Sequence, residues 1–215
     1  MKVLVTGFEP FGGEKMNPAY EAVKLLPDVI EGAEVVKVEI PVVTVKDVAA
    51  VEKAVKEHCP DIVFCIGQAG GRTHVTPEFV GINYRNYRIP DNEGNQVVDR
   101  IAETGPDAYF AKLPVFAMVD AAKEKGIPAA VSYTAGTYCC NEVMYGLLHL
   151  IATKHPEMRG GFIHVPYATE QAVNLSATTP SMSLSMIADA LETMIACAIT
   201  HTGEDAASVG SGTEQ

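Results

Sequence analysis

Ile127-Pro-Ala-Ala-Val-Ser-Tyr-Thr-Ala-Gly-Thr-Tyr-Cys-Cys-Asn141 reads as a β-strand, a tight Ala-Gly turn, a pair of cysteines and the start of an amphipathic helix over Asn141–Thr153. The next apolar run, Gly161–Val165, supplies a second strand, so the stretch is one βαβ unit. Its chemistry lies at the helix start. Free backbone N–H groups and the helix dipole favour a thiolate there, and the same amides can hold a developing oxyanion.

The pattern repeats outward from this unit. Lys2–Thr6, Glu34–Ile40 and Asp61–Ile66 are short apolar strands. Pro18–Leu26 reads as a helix with Asn17 as N-cap and Pro18 at the first helical position. Val45–Glu57, Pro114–Lys125 and Ser181–Thr200 are further helices. Residues 68–112 break the alternation: they are rich in Gly, Pro, Asn and Arg, with extended pieces at 79–83, 86–89 and 96–98 and a turn at Asp91-Asn-Glu-Gly94. This is a long functional insertion containing a hairpin. The expected fold is α/β, a three-layer α/β/α sandwich around a mainly parallel twisted sheet. A single catalytic domain spans 1–202, and the small, polar, acidic stretch 203–215 is expected to be a disordered tail.

Composition sets the outer limits. A chain of 215 residues, 47% hydrophobic, can bury a sizeable core. A net charge of −11 argues against general binding to nucleic acid or to an anionic membrane. No apolar run is long enough for a membrane span or a signal peptide. Five cysteines, an odd number without a CxxC, argue against a disulfide framework and point to a reducing cytoplasm.

Sites in an open parallel sheet form at the carboxyl ends of the strands. Phe8 and Phe11 follow the first strand, Gln68 to Glu78 the third, Cys140 the 127–133 strand, and His164 sits near the end of the next. Four separate segments therefore converge on one rim. The chemistry assigns Cys140 as nucleophile, His164 as base and Glu78 as the acid that orients the imidazole. Plainer readings stand beside these: His164 as a hydrogen-bonded core histidine, Glu78 as a solvated loop residue. Cys139 faces about 100° away from Cys140 around the helix and belongs to the core. Gly67-Gln-Ala-Gly-Gly-Arg72 could cradle a phosphate but lacks a P-loop Lys-Ser/Thr, and no helix follows it.

Four blocks resemble the pyroglutamyl peptidase type I (pyrrolidone carboxyl peptidase) family. They are Val5–Gly13 with Asn17-Pro18; Gly67–Arg72 on to Glu78 and Ile82-Asn83; Arg88–Asn92; and Ser132–Asn141 with Phe162–Pro166. The resemblance runs over about residues 1–200. It implies a cysteine exopeptidase that hydrolyses the N-terminal pyroglutamyl residue from peptides and releases 5-oxoproline. It puts the acid, nucleophile and base on Glu78, Cys140 and His164. The ring-binding aromatics fall on Phe8 and Phe11, a residue of the lactam site on Gln68, and an active-site arginine on Arg88. It further implies a cytoplasmic protein with no metal and no cofactor, forming a homo-oligomer, often a tetramer. Phe79, Cys139 and Thr169 depart from the family's usual residues. Two competing readings are a nucleoside phosphorylase-like enzyme and a non-catalytic α/β binding module.

Cys140→Ser is expected to abolish nearly all peptidase activity, while Cys139→Ala keeps most of it. Turnover of the two variants checks this, and the reverse pattern would exclude Cys140 as the nucleophile.

Overall fold

Every residue from Val3 to Phe8 is buried, as a strand covered on both faces must be. Val3 and Val5 face one hydrophobic core and Leu4 the other. The computed structural model describes residues 1–203 and 205. In chain order its first elements are β1 (Lys2–Phe8), α1 (Pro18–Leu25), β2 (Val29–Ile30), β3 (Ala33–Ile40), α2 (Lys46–His58) and β4 (Ile62–Gln68). The insertion holds β5 (Thr76–Pro77), β6 (Val80–Ile82), β7 (Arg85–Asn86), β8 (Val98–Asp99) and β9 (Ala108–Phe110). Then come α3 (Val115–Glu124), α4 (Cys139–Lys154), β10 (Arg159–Val165), β11 (Tyr167–Ala168), α5 (Thr169–Ala172), β12 (Ser181–Met182) and α6 (Leu184–Thr200).

The main sheet runs β2-β3-β1-β4-β10-β5. Its four inner strands are parallel, and β2 and β5 are antiparallel edges. Helices α1, α3 and α6 pack on one face, α2 and α4 on the other, which makes the three layers. Asn17 caps α1 by accepting from the Ala19 amide at 3.1 Å, with Pro18 beside it. The insertion closes on itself through two short antiparallel pairs, β6 with β9 and β7 with β8. Its Asp91–Gly94 turn is closed by a 3.0 Å bond from the Gly94 amide to the Asp91 carbonyl, and Gly94 takes a φ of 84° that favours glycine.

One expected strand is not regular. Residues 127–133 form isolated parallel bridges, Ala129 with Val75 and Ser132 with Glu78, not a continuous ladder. The cause is Pro77. Val75 exchanges bonds with Pro128 O and the Ala130 amide, and the Ser132 amide reaches Pro77 O. Pro77 itself has no N–H to return, so the ladder skips a rung. The segment still runs alongside β5 and delivers the chain to the start of α4. That helix begins at Cys139, two residues before the expected start.

The expected tail at 203–215 lies outside the described residues, apart from Gly203 and Asp205. The Asp205 carboxylate accepts from the Phe116 and Ala117 amides at 3.1 and 3.0 Å. It thereby caps α3, whose own N-cap, Pro114, offers no side-chain acceptor. Among the described residues no helix is long and apolar enough to cross a membrane.

The layers meet most tightly where β1 passes under α1. A Cβ on Gly7 would lie 2.6 Å from Tyr20 Cα, a backbone atom with nowhere to go. Gly7→Ala is therefore expected to destabilise the fold by roughly 1–3 kcal/mol, lowering Tm by about 2–12 °C in a domain of this size. Thermal unfolding measures it, and an unchanged Tm would show that α1 can lift off β1 without cost.

Candidate active site

β5 pairs with β10 so that Thr76 lies opposite His164 and Pro77 opposite Ile163. The Glu78 amide continues this edge by donating to Phe162 O at 2.9 Å. Directly opposed residues of an antiparallel pair share a sheet face, and so do residues two apart on one strand. Glu78, Phe162 and His164 therefore point to the same side, the side covered by α4. Both titratable groups are buried, Glu78 completely. His164 Nδ1 donates to Glu78 Oε1 at 2.7 Å. The same oxygen accepts from Arg72 Nη1 at 2.7 Å, and Arg72 is itself anchored on Thr76 Oγ1 and Thr134 O.

This arrangement fixes the protonation states. Burial works against a charged Glu78, but the His164 hydrogen bond and the charges of His164 and Arg72 outweigh it, so its carboxyl lies below the ordinary range. Burial lowers the His164 imidazole, and its bond to Glu78 only partly opposes that. At rest the pair is thus a carboxylate and a neutral imidazole with its proton on Nδ1. Nε2 is left as a free lone pair, the form a general base needs.

Cys140 is the second residue of α4. The N-cap position is Tyr138, whose side chain makes no capping bond, so it leaves the first-turn amides free of a side-chain acceptor. Gly67 lies opposite His164 in the parallel β4–β10 pair, on the same face. A Cβ built on Gly67 would lie 3.0 Å from Cys140 Sγ and 2.6 Å from the Phe162 ring. The missing side chain at 67 is what makes room for the sulfur beside the Phe162 ring. Burial pushes the Cys140 thiol up to about 12, with the nearby Glu78 charge adding to the effect. Burial of the sulfur thus works against whatever the helix start contributes toward a thiolate.

Cys140 also forms one wall of a small cavity, about 290 Å³ including its open mouth, together with Phe8, Phe11, Gln68, Val42 and Tyr138. Phe8 is buried and leans on Phe162, while Phe11 is half-buried against Tyr138. Gln68 reaches the cavity from the end of β4, and its Oε1 accepts from Gln171 Nε2 at 3.0 Å. Arg88 is not brought here. It is exposed and does not line the cavity, and its carbonyl accepts from Gln96 in the insertion. The one guanidinium of the Gly67–Arg72 loop is engaged by Glu78.

A second buried carboxylate ties the walls together. Glu142, in the first turn of α4, accepts from Thr44 Oγ1, the Val45 amide, Arg85 Nη1 and Tyr87 Oη. Cys139 Sγ donates to the same Tyr87 hydroxyl at 3.2 Å and is itself buried core. The loop carrying Val42 and the insertion carrying Tyr87 are thereby fixed to the helix that carries Cys140.

The family model described as pyroglutamyl peptidase matches residues 1–201. A pyrrolidone-carboxylate peptidase of Finegoldia magna is 54% identical over 202 residues, covering 94% of each chain. The crystal structure of pyroglutamyl peptidase I from Bacillus amyloliquefaciens superposes with a TM-score of 0.90 at 50% identity, covering 93% of this chain and 95% of that one. A mutant pyrrolidone carboxyl peptidase from Pyrococcus furiosus gives 0.89 at 43% identity, covering 93% and 98%.

The protonation states set a pH signature. His164 is depressed, so it stays a base until pH falls below its folded value, which lies under the ordinary 6.5. The acid limb of kcat/KM, which reports the free enzyme, is expected below pH 6.5. Alkylation of Cys140 by iodoacetamide should climb through the alkaline range without levelling near neutrality. A plateau at or below pH 7 would show a thiolate–imidazolium pair already formed at rest.

Proposed function

The chain belongs to the pyroglutamyl peptidase family and is a cysteine peptidase that removes the N-terminal pyroglutamyl residue from peptides; from that premise we propose that Cys140, His164 and Glu78 carry the reaction and that Phe8, Phe11 and Gln68 hold the ring. The observation that carries the reading is the shared position of Cys140. Its sulfur closes the Phe8–Phe11 cavity and overlies Gly67, on the sheet face from which the Glu78–His164 pair projects.

The chemistry follows from the resting state. A flat, uncharged five-membered lactam sits between apolar walls. His164 Nε2 takes the thiol proton as Sγ bonds to the scissile carbonyl carbon. The Cys140 amide lies in the first turn of α4, which no side chain caps, so it can stabilise the oxyanion. The imidazolium formed is held by the Glu78 carboxylate, then gives its proton to the leaving amine as the C–N bond breaks. A thioester remains. His164 next takes a proton from water, the hydroxide adds to the thioester, and 5-oxoproline leaves with the thiol restored. Arg72 keeps Glu78 ionised through the cycle.

The role of Arg88 at the active site, taken from resemblance alone, draws no support from its exposed position. Assembly into a homo-oligomer, a tetramer by resemblance, and residence in the cytoplasm belong to the same proposal. All five cysteines are unpaired, which suits a reducing compartment. Light scattering coupled to size-exclusion chromatography tests the assembly.

Hydrolysis of a pyroglutamyl chromogenic amide, blocked by prior iodoacetamide, tests the reading; turnover that survives complete alkylation of Cys140 would refute it. Replacing the acid of a serine triad costs about 10⁴ in turnover, and a thiol depends less on its base. Glu78→Gln is thus expected to lose roughly 10²–10³-fold in kcat. Arg72→Met should lose about 10-fold, because it weakens the carboxylate without removing it. A kcat for Arg72→Met below that of Glu78→Gln would show that Arg72 acts on the substrate and not through Glu78.

A further inference from the structure

Gln171 is buried, yet it belongs to a four-residue helix with no part in the triad. Its two ends are not equivalent. The backbone N–H of Ala168 donates to Gln171 Oε1 at 3.1 Å. A backbone amide can only donate, so the oxygen of the carboxamide must face it. The amide nitrogen is then left for Gln68, and Gln171 Nε2 donates to Gln68 Oε1 at 3.0 Å. With its oxygen turned to Gln171, Gln68 has both Nε2 hydrogens left to offer the cavity that it lines. One fixed backbone donor therefore sets the polarity of two side chains in series.

We infer that Gln171 is a positioning residue that locks Gln68 as a hydrogen-bond donor, so that the site selects a five-membered ring carrying a carbonyl acceptor. The inference rests on the pyroglutamyl reading of the cavity and adds to it the direction of the ring's hydrogen bond. A pyroglutamyl ring brings a carbonyl to that donor. A prolyl ring has a methylene at the same place and a charged amine beside it, so it leaves the donor unsatisfied and adds like-polarity repulsion. A site built to hydrogen-bond a polar group rejects the analogue that lacks it far more strongly than an apolar pocket rejects a change of size. Phe8 and Phe11 can accept either ring. The Gln171–Gln68 relay separates them.

The test reverses the relay. In Gln171→Glu the carboxylate still accepts from Ala168 but cannot donate to Gln68. Gln68 must turn its amide toward residue 171 and its carbonyl toward the cavity. The expected result is at least a ~10-fold rise in KM for a pyroglutamyl chromogenic amide and in Ki for 2-pyrrolidinone, a bare lactam. Turnover at saturation and the rate of Cys140 alkylation by iodoacetamide should stay near wild type. Gln171→Met, which gives no instruction either way, should fall between wild type and Gln171→Glu, whereas a merely structural role would make the two alike and lower alkylation with them. Gln68→Glu makes the same reversal without touching residue 171, and so answers the question if Gln171→Glu does not fold. An unchanged or tighter Ki in the folded Glu variants would overturn the relay alone. A wild-type enzyme that neither cleaves the amide nor binds 2-pyrrolidinone would sink the pyroglutamyl reading, and this inference with it.

Discussion

A carboxylate with no exposed surface is costly unless its charge is held, and the site is organised around how Glu78 is held. Isolating such a group costs several kcal/mol even after relaxation. Two charge-assisted bonds, each worth about 1.5–3 kcal/mol, come to Oε1 from His164 Nδ1 and Arg72 Nη1, both at 2.7 Å. They suffice to keep the group ionised. Once Glu78 is charged, the His164 proton belongs on Nδ1, Nε2 is a lone pair, and the imidazolium formed in turnover has a counter-charge waiting. With His164 as the proposed base, a thiol pushed up to about 12 depends on a contact it does not make itself.

The fold supplies that contact through its edge. β5 is two residues long and antiparallel, so it places Glu78 beside the end of β10. The 127–133 segment, its ladder interrupted at Pro77, runs along the outside and brings Thr134 to Arg72. Glu142 does for the cavity walls what Glu78 does for the base. It is a buried acceptor whose four partners come from one loop and from the insertion, and all of them are drawn onto α4. One carboxylate thus ties the loop of Arg72 to the end of β10, and the other ties α4 to the walls of the cavity.

Much of this was legible in the chain. Short apolar runs, two of them ended by Gly7 and Gly67, gave the parallel strands, Asn17-Pro18 gave the start of α1, and the carboxyl-end rule drew Phe8, Gln68, Cys140 and His164 to one rim. The continuous strand expected at 127–133 failed because its partner, not the segment itself, carries the disruptive proline. Arg72 was visible in its Gly-rich block, but nothing in a spacing of six residues says that the loop doubles back to put a guanidinium on Glu78. Gln171 gave no signal beyond a polar residue near the C-terminal third, since its meaning depends on a backbone amide three residues earlier and a side chain 103 residues away. The helix-start argument for a thiolate weighed the dipole but could not see the burial that works against it. Arg88, placed by resemblance, lies outside the cavity because the insertion holds it at the surface.

The central claim is that Cys140 accepts the pyroglutamyl group through its sulfur while His164, oriented by Glu78, moves the protons. Acid quenching of the enzyme during turnover of a pyroglutamyl ester, followed by peptide mass spectrometry, measures this directly. The account predicts one pyroglutamyl group on the peptide containing Cys139 and Cys140, located on Cys140 and released by hydroxylamine. It also predicts that the adduct forms far more slowly in His164→Ala, even with a good leaving group, because no base is left to take the thiol proton. Label on Cys139 or on any other residue, or turnover with no adduct under conditions that trap thioesters, would contradict it.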